Sequence, residues 1–140
     1  VGLSTGTGFS SVTRWTTDLG PAKGWTNQYP RLVADVNGDS KSDIVGFGAD
    51  GVYVGLSTGT GFSSVTRWTT DLGPAKGWTN QYPRLVADVN GDSKSDIVGF
   101  GADGVYVGLS TGTGFSSVTR WTTDFDPTHQ WQTPRKLGKK

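Results

Sequence analysis

Asp35, Asn37, Asp39 and Asp43, spaced D-x-N-x-D-x-x-x-D, are the densest cluster of oxygen ligands in this chain, and Asp88, Asn90, Asp92 and Asp96 repeat them. Alternate residues of a tight loop can aim side-chain oxygens at one centre, and a hard cation such as calcium takes about six to eight oxygens. The carbonyl of Lys41, or of Lys94 in the second copy, can complete the ring. Three carboxylates this close repel one another unless a cation, a donor or solvent compensates. The competing reading needs no metal: an Asx-turn in which Asp35 and Asn37 accept from backbone N–H groups. Ser40 and Ser93 favour it. Such loops commonly need positive φ at that position, which costs a non-glycine residue on the order of 1 kcal/mol. Both readings stand at this point.

Little else in the chain suits catalysis. It has one histidine, His129, no cysteine and no glutamate. The paired aspartates sit inside a turn that repeats identically, and catalytic centres are seldom copied unit by unit. The expectation is a protein that is not an enzyme. A net charge of +1 sets up no field that would draw nucleic acid. No apolar run approaches the roughly 18 residues of a membrane span, so no membrane insertion is expected. Arg135, Lys136, Lys139 and Lys140 read as a solvated basic tail. The first residue is Val, which points to an original reading frame that starts earlier.

These residues need a frame to hold them. Leu32 to Ser57 reads as strand, acidic turn, strand, tight turn, strand, and it returns unchanged at Leu85 to Ser110. Val1–Tyr53 and Val54–Tyr106 are identical, a period of 53, and a third copy runs from Val107 to Asp124 before diverging. Glycine at 22 of 140 residues, with abundant Ser and Thr, fits short strands joined by tight turns rather than helices. Val52, Val54 and Leu56 alternate with Tyr53, Gly55 and Ser57 across a strand. Ser11 to Asp18 alternates again, with the polar face of an outer strand, where Trp15, Trp68 and Trp121 read mainly as packing. Asp18 to Asn27 is a connector in which Gly20, Pro21 and Gly24 exclude both helix and central strand. Ala49-Asp50-Gly51 signals a hairpin, its Asp-Gly pair suited to a primed turn. The unit is a four-stranded antiparallel sheet. The expected fold is all-β, a run of β-propeller blades; a β-solenoid is the alternative, but its rungs are usually shorter, roughly 20–30 residues. The expected divisions are 1–30 as half-blade plus connector, 31–83 as blade and connector, 84–126 as blade, and 127–140 as a degenerate connector or partial strand with a basic tail. Fewer than three units cannot close a ring of about four to eight blades. Closure by copies of itself is expected, with a piece of a longer chain as the alternative.

The stretch DVNGDSKSDIVGFGADGVYVGLS resembles the FG-GAP, or VCBS-type, repeat, with Phe47-Gly48 and Phe100-Gly101 as the Phe-Gly pairs. The longer pattern W-x(4)-PR-x(3)-DVNGD-x(3)-DIVGFG-x(2)-GVYV is similar to repeats of the Psathyrella-type and Photorhabdus-type propeller lectins. That resemblance implies sugar pockets between neighbouring blades, for N-acetylglucosamine or fucose, and calcium in the acidic loops. A sugar site needs an aromatic platform and a rim of amide, hydroxyl or guanidinium partners. The connector offers Trp25, Asn27, Gln28, Tyr29 and Arg31, then Trp78, Asn80, Gln81, Tyr82 and Arg84, and Trp131 opens a depleted third set. Trp25 and Trp78 read equally well as packing wedges between blades. The function expected is multivalent, non-catalytic glycan recognition, in a secreted or extracellular-facing protein. Two alternatives are a calcium-stabilised adhesion module that binds protein and an accessory repeat of a larger secreted protein.

Overall fold

A computed structural model describes residues 1–125. They form two four-stranded antiparallel sheets, each in simple sequence order. The first holds β1 (Arg31–Ala34), β2 (Asp43–Gly48), β3 (Gly51–Gly55) and β4 (Thr66–Thr69). The second holds β5 (Arg84–Ala87), β6 (Asp96–Gly101), β7 (Gly104–Gly108) and β8 (Thr119–Thr122). Registers match position for position: Val45 faces Val54 and Val98 faces Val107. Each outer pair carries one irregularity, at Val52/Tyr53 and at Val105/Tyr106. Residues 1–17 trace the end of a unit without a named strand; they are held by the Ser4–Phe9 bridge and by Val1 paired with Thr13.

Two local expectations need correcting. The connector contains a single 3-10 turn, Pro21–Lys23, repeated at Pro74–Lys76. Proline fits there because its missing N–H falls at the first helical position, where no partner is needed. The hairpin between β2 and β3 is not a primed turn. Ala49 and Asp50 keep negative φ, and the unusual backbone falls one residue later, on Gly51 at φ 141°. A side chain on Gly51 would run into the Thr69 carbonyl, so glycine is required by close approach as well as by φ.

The two sheets pack face to face across a shared core. Val36, Val45, Phe47, Val52 and Val54 of the first meet Leu72, Ile97 and Phe115 of the second, with Val86 and Val118 alongside. The seam is also stitched by polar contacts. Ser95 N–H donates to the Asp35 carbonyl at 2.8 Å, and the Ser110 hydroxyl donates to the Val36 carbonyl. Trp68 meets Phe115 at 5.2 Å, as Trp15 meets Phe62 at 5.3 Å one unit earlier. Trp15 and Trp68 are therefore lateral packing residues.

Candidate functional site between the connectors

Each connector is pinned to the sheet that follows it. The Trp25 indole lies on the bare backbone of β2: a Cβ on Gly46 would sit 2.8 Å from its Cζ3, and one on Gly48 would sit 2.8 Å from its Cη2. Trp78 lies on Gly99 and Gly101 in the same way. Tyr29 and Tyr53 stand edge-on to Trp25, with centroids 5.9 and 5.6 Å away. Leu19 and Leu72 take left-handed backbone at φ 61° and 63° while remaining buried. Arginine holds that bend: Arg31 donates to the Leu19 carbonyl at 2.9 Å, and Arg84 to the Leu72 carbonyl at 3.0 Å.

With the indole fixed, the next residues project outward. Tyr29 N–H donates to the Thr26 carbonyl at 3.0 Å, closing a turn that leaves Asn27 and Gln28 exposed. The second connector repeats this turn through Tyr82 and Thr79 at 2.9 Å. The two turns lie side by side. Between them is a groove of about 390 Å³ lined by Gln28 and Tyr29 from one and Pro74, Thr79, Asn80 and Gln81 from the other. Its walls carry amides, hydroxyls and one aromatic ring, the chemistry that suits a hydroxylated ring with apolar C–H faces. A second groove, about 290 Å³, runs past Lys23, Trp25, Tyr29, Asp50 and Tyr53. There Asp50 accepts from the Tyr53 hydroxyl at 2.8 Å and from Arg67 at 2.8 Å, and the hydrogen bond to Asp50 raises the Tyr53 pKa.

The structure thus brings Gln28, Tyr29, Asn80 and Gln81 together in one place. Trp25 and Trp78 serve as the packing wedges that position them, and Trp25 also edges the second groove. Tyr82 stands beside Trp78 at 6.1 Å, and Asn27 shares the exposed turn with Gln28. Arg84, expected at the sugar site, is only 3% exposed; it props up Leu72 and lies 5.8 Å from the Phe47 ring. Burial lowers its pKa, and its Nε has no partner. Arg31 is spent on the Leu19 and Trp25 carbonyls. Both guanidinium groups act as struts, each donating to carbonyls of its own connector. Trp131 lies outside the described residues. Thr79 and Pro74 were missed: Thr79 sits within the polar run W-T-N-Q-Y that flagged its neighbours, while Pro74 reached the groove only through the 3-10 turn.

The acidic loops close on themselves through their own backbone N–H groups. Asp35 accepts from Gly38 N–H at 2.7 Å and Ser40 N–H at 2.7 Å, the Asx-type arrangement. Ser40 and Ser93 do take positive φ, 67° and 70°. Asp43 is fully buried and accepts from Val36 N–H at 3.0 Å and Ser57 N–H at 2.7 Å. Lys41 pairs with Asp39 at 3.2 Å. The backbone hydrogen bond from Lys41 holds the Asp39 carboxyl below its ordinary range, while burial pushes Asp43 up. One oxygen from each of Asp35, Asp39 and Asp43 lies within 4.8 Å of the others, and likewise for Asp88, Asp92 and Asp96. Calcium–oxygen distances of about 2.3–2.6 Å put opposite ligands roughly 4.6–5.2 Å apart, so this donor set fits the ion's size.

The comparisons with known proteins bear on the repeat and the fold. Residues 35–99 match the FG-GAP-like repeat family. Among solved structures the chain is similar to a lectin from Agrocybe aegerita, described as specifically recognising non-reducing terminal N-acetylglucosamine. The likeness has a TM-score of 0.81 and 38% sequence identity over 88% of this chain. The chain spans about a third of that lectin's length, 32%. No curated protein matches the sequence. The repeated four-stranded sheets are β-propeller blades, and the chain carries FG-GAP-like repeats on a propeller-lectin-like fold.

Proposed function

We propose that the chain is a non-catalytic carbohydrate-binding protein that takes the non-reducing end of a glycan, N-acetylglucosamine first, in the groove between neighbouring connectors. The observation that carries this reading is the pairing of Gln28 and Tyr29 with Asn80 and Gln81 across one blade seam. The likeness to a lectin of that specificity supports it. Tyr29 supplies the flat partner for a sugar's C–H face, and the amides supply donors and acceptors to its hydroxyl and acetamido groups. A single groove open to solvent binds weakly, and several on one rigid body gain avidity through effective concentration. The test is titration of N-acetylglucosamine and fucose, followed by amide chemical shifts. Expected are saturable shifts with N-acetylglucosamine, lost or weakened at least tenfold in the Gln28→Ala, Asn80→Ala double variant. Absence of saturable shifts with either sugar, in folded protein, sinks the reading.

We also propose that the acidic loops take calcium, held by Asp35, Asp39 and Asp43 with the Lys41 carbonyl, and by Asp88, Asp92, Asp96 and the Lys94 carbonyl. The spacing of the three carboxylate oxygens favours it. Calcium would neutralise the clustered charge and tie each loop to the start of the following strand. A binder of the folded state raises the unfolding temperature by mass action. The melting temperature should therefore rise with added calcium and fall back with a chelator; an unchanged melt would leave the Asx-turn reading alone.

A further inference from the structure

We propose that the two outward blade faces of this chain bind each other between copies, the second blade of one molecule seating on the first blade of the next. The argument comes from the seam inside the chain. One half of that seam is the face of the first blade carrying Leu32, Val36 and Phe47; the other is the face of the second blade carrying Arg84, Val86 and Ile97. Because the two blades are identical in sequence, the chain carries a spare of each half. The first blade presents Arg31, Val33 and Ile44 outward, and the second presents Leu85, Val89 and Phe100.

Exposure records the missing neighbours among the described residues. Val33 is 64% exposed, whereas its copy Val86 is half-buried against the core cluster. Val89 is 39% exposed and its copy Val36 is fully buried. A groove of about 490 Å³, lined by Thr16, Leu19, Arg31, Val33 and Ile44, marks the open receiving side. The occupant is a second copy because the matching surface exists residue for residue. Arg31 takes the second copy's Phe100 as Arg84 takes Phe47. Ser57 bonds the second copy's Val89 carbonyl as Ser110 bonds that of Val36, and Ser42 N–H the second copy's Asp88 carbonyl as Ser95 bonds Asp35.

The contact is head-to-tail, so copies add in one direction until a ring closes or a chain of them grows. It also demands an exchange. Residues 1–17 repeat 107–123 and lie along the receiving side, where Trp15 meets Phe62. The arriving molecule brings its own outer strand, so residues 1–17 give way and the second copy's Trp121, 51% exposed, lands on Phe62. The segment that leaves is loosely held, with Phe9 77% and Val12 78% exposed, and the one that arrives is ordered in β8. Each junction sets one connector turn beside another and so adds a groove of the kind described above. The assembly itself does not depend on what that groove binds.

Light scattering after gel filtration of the full chain tests the proposal, with Val33→Asp and Leu85→Asp, two exposed positions, as single variants whose folding is checked by circular dichroism. Expected are a wild-type mass above one chain that rises with concentration, loss of the assembled species in each variant, and a 1:1 dimer when the two variants are mixed. Each variant spoils a different half, so the mixture retains one intact junction. A wild type that stays monomeric at every soluble concentration overturns the proposal. Variants that still assemble overturn it too, as does a mixture that stays monomeric, which would mark a symmetric contact.

Discussion

At the residue scale, the aspartates of the repeated loop have separate duties. Both Asp43 oxygens accept backbone N–H groups, from Val36 and Ser57, with the side chain fully buried. Asn offers one acceptor oxygen, so Asp43→Asn leaves a buried donor unmet; urea unfolding at neutral pH should show a loss of roughly 1–3 kcal/mol. Asp39 is exposed, and Lys41 draws its pKa below 3.8. A lowered folded pKa contributes stability above the unfolded value and loses it as pH falls through the folded one. Asp43, pushed up by burial, runs the other way: its buried charge is a cost at neutral pH that is relieved as pH drops. Stability profiles should therefore lose part of their acid slope in Asp39→Asn and steepen in Asp43→Asn, where the opposing contribution is removed.

At the element scale, the connector and β2 form one device. Two glycines give β2 a flat stripe, the indole fills it, and the exposed turn hangs from the indole. Gly46→Ala places a methyl 2.8 Å from Trp25 Cζ3 and 3.2 Å from Leu19 Cδ2, closer than carbon atoms approach without something moving. The indole must lift, at about 1–3 kcal/mol for overpacking. Near-ultraviolet circular dichroism of Trp25 should weaken, and sugar affinity should fall although residue 46 lines neither groove. An unchanged near-ultraviolet signal would show that the stripe is not what seats the indole. The sequence showed the parts of this device, with Trp, the polar run and the glycines each in view, but not their distance. Gly46 follows Trp25 by 21 positions, and nothing in spacing alone says that a ring lies on that backbone.

At the scale of the whole molecule, repetition governs behaviour. One seam is complete, its residues counted twice in the sequence but buried once in space. Hydrophobic surface left on both outward blade faces, Val33 on one and Leu85 on the other, would drive the proposed association. If copies join as proposed, the melting temperature rises with protein concentration, because binding restricted to the folded state stabilises it by mass action. Grooves then accumulate with junctions, and avidity on a glycan-coated surface grows with assembly size while the affinity of each groove for free sugar stays constant.

The sequence by itself determined the all-β unit, its four strands, the 53-residue period and the acidic turn. Strand alternation, turn residues and exact repetition are local signals, each readable within a few positions. It also marked the polar run after Trp25 as a candidate ligand site. Only the tertiary structure decided which residues face one another. The groove joins Gln28 to Asn80 across a blade seam. The positive φ moved from the hairpin's own centre to Gly51. Arg84 became a buried strut while Arg31, in an identical sequence, stayed at the surface. Local sequence cannot separate those two arginines, because burial is set by the neighbouring blade and not by the residue's own chemistry.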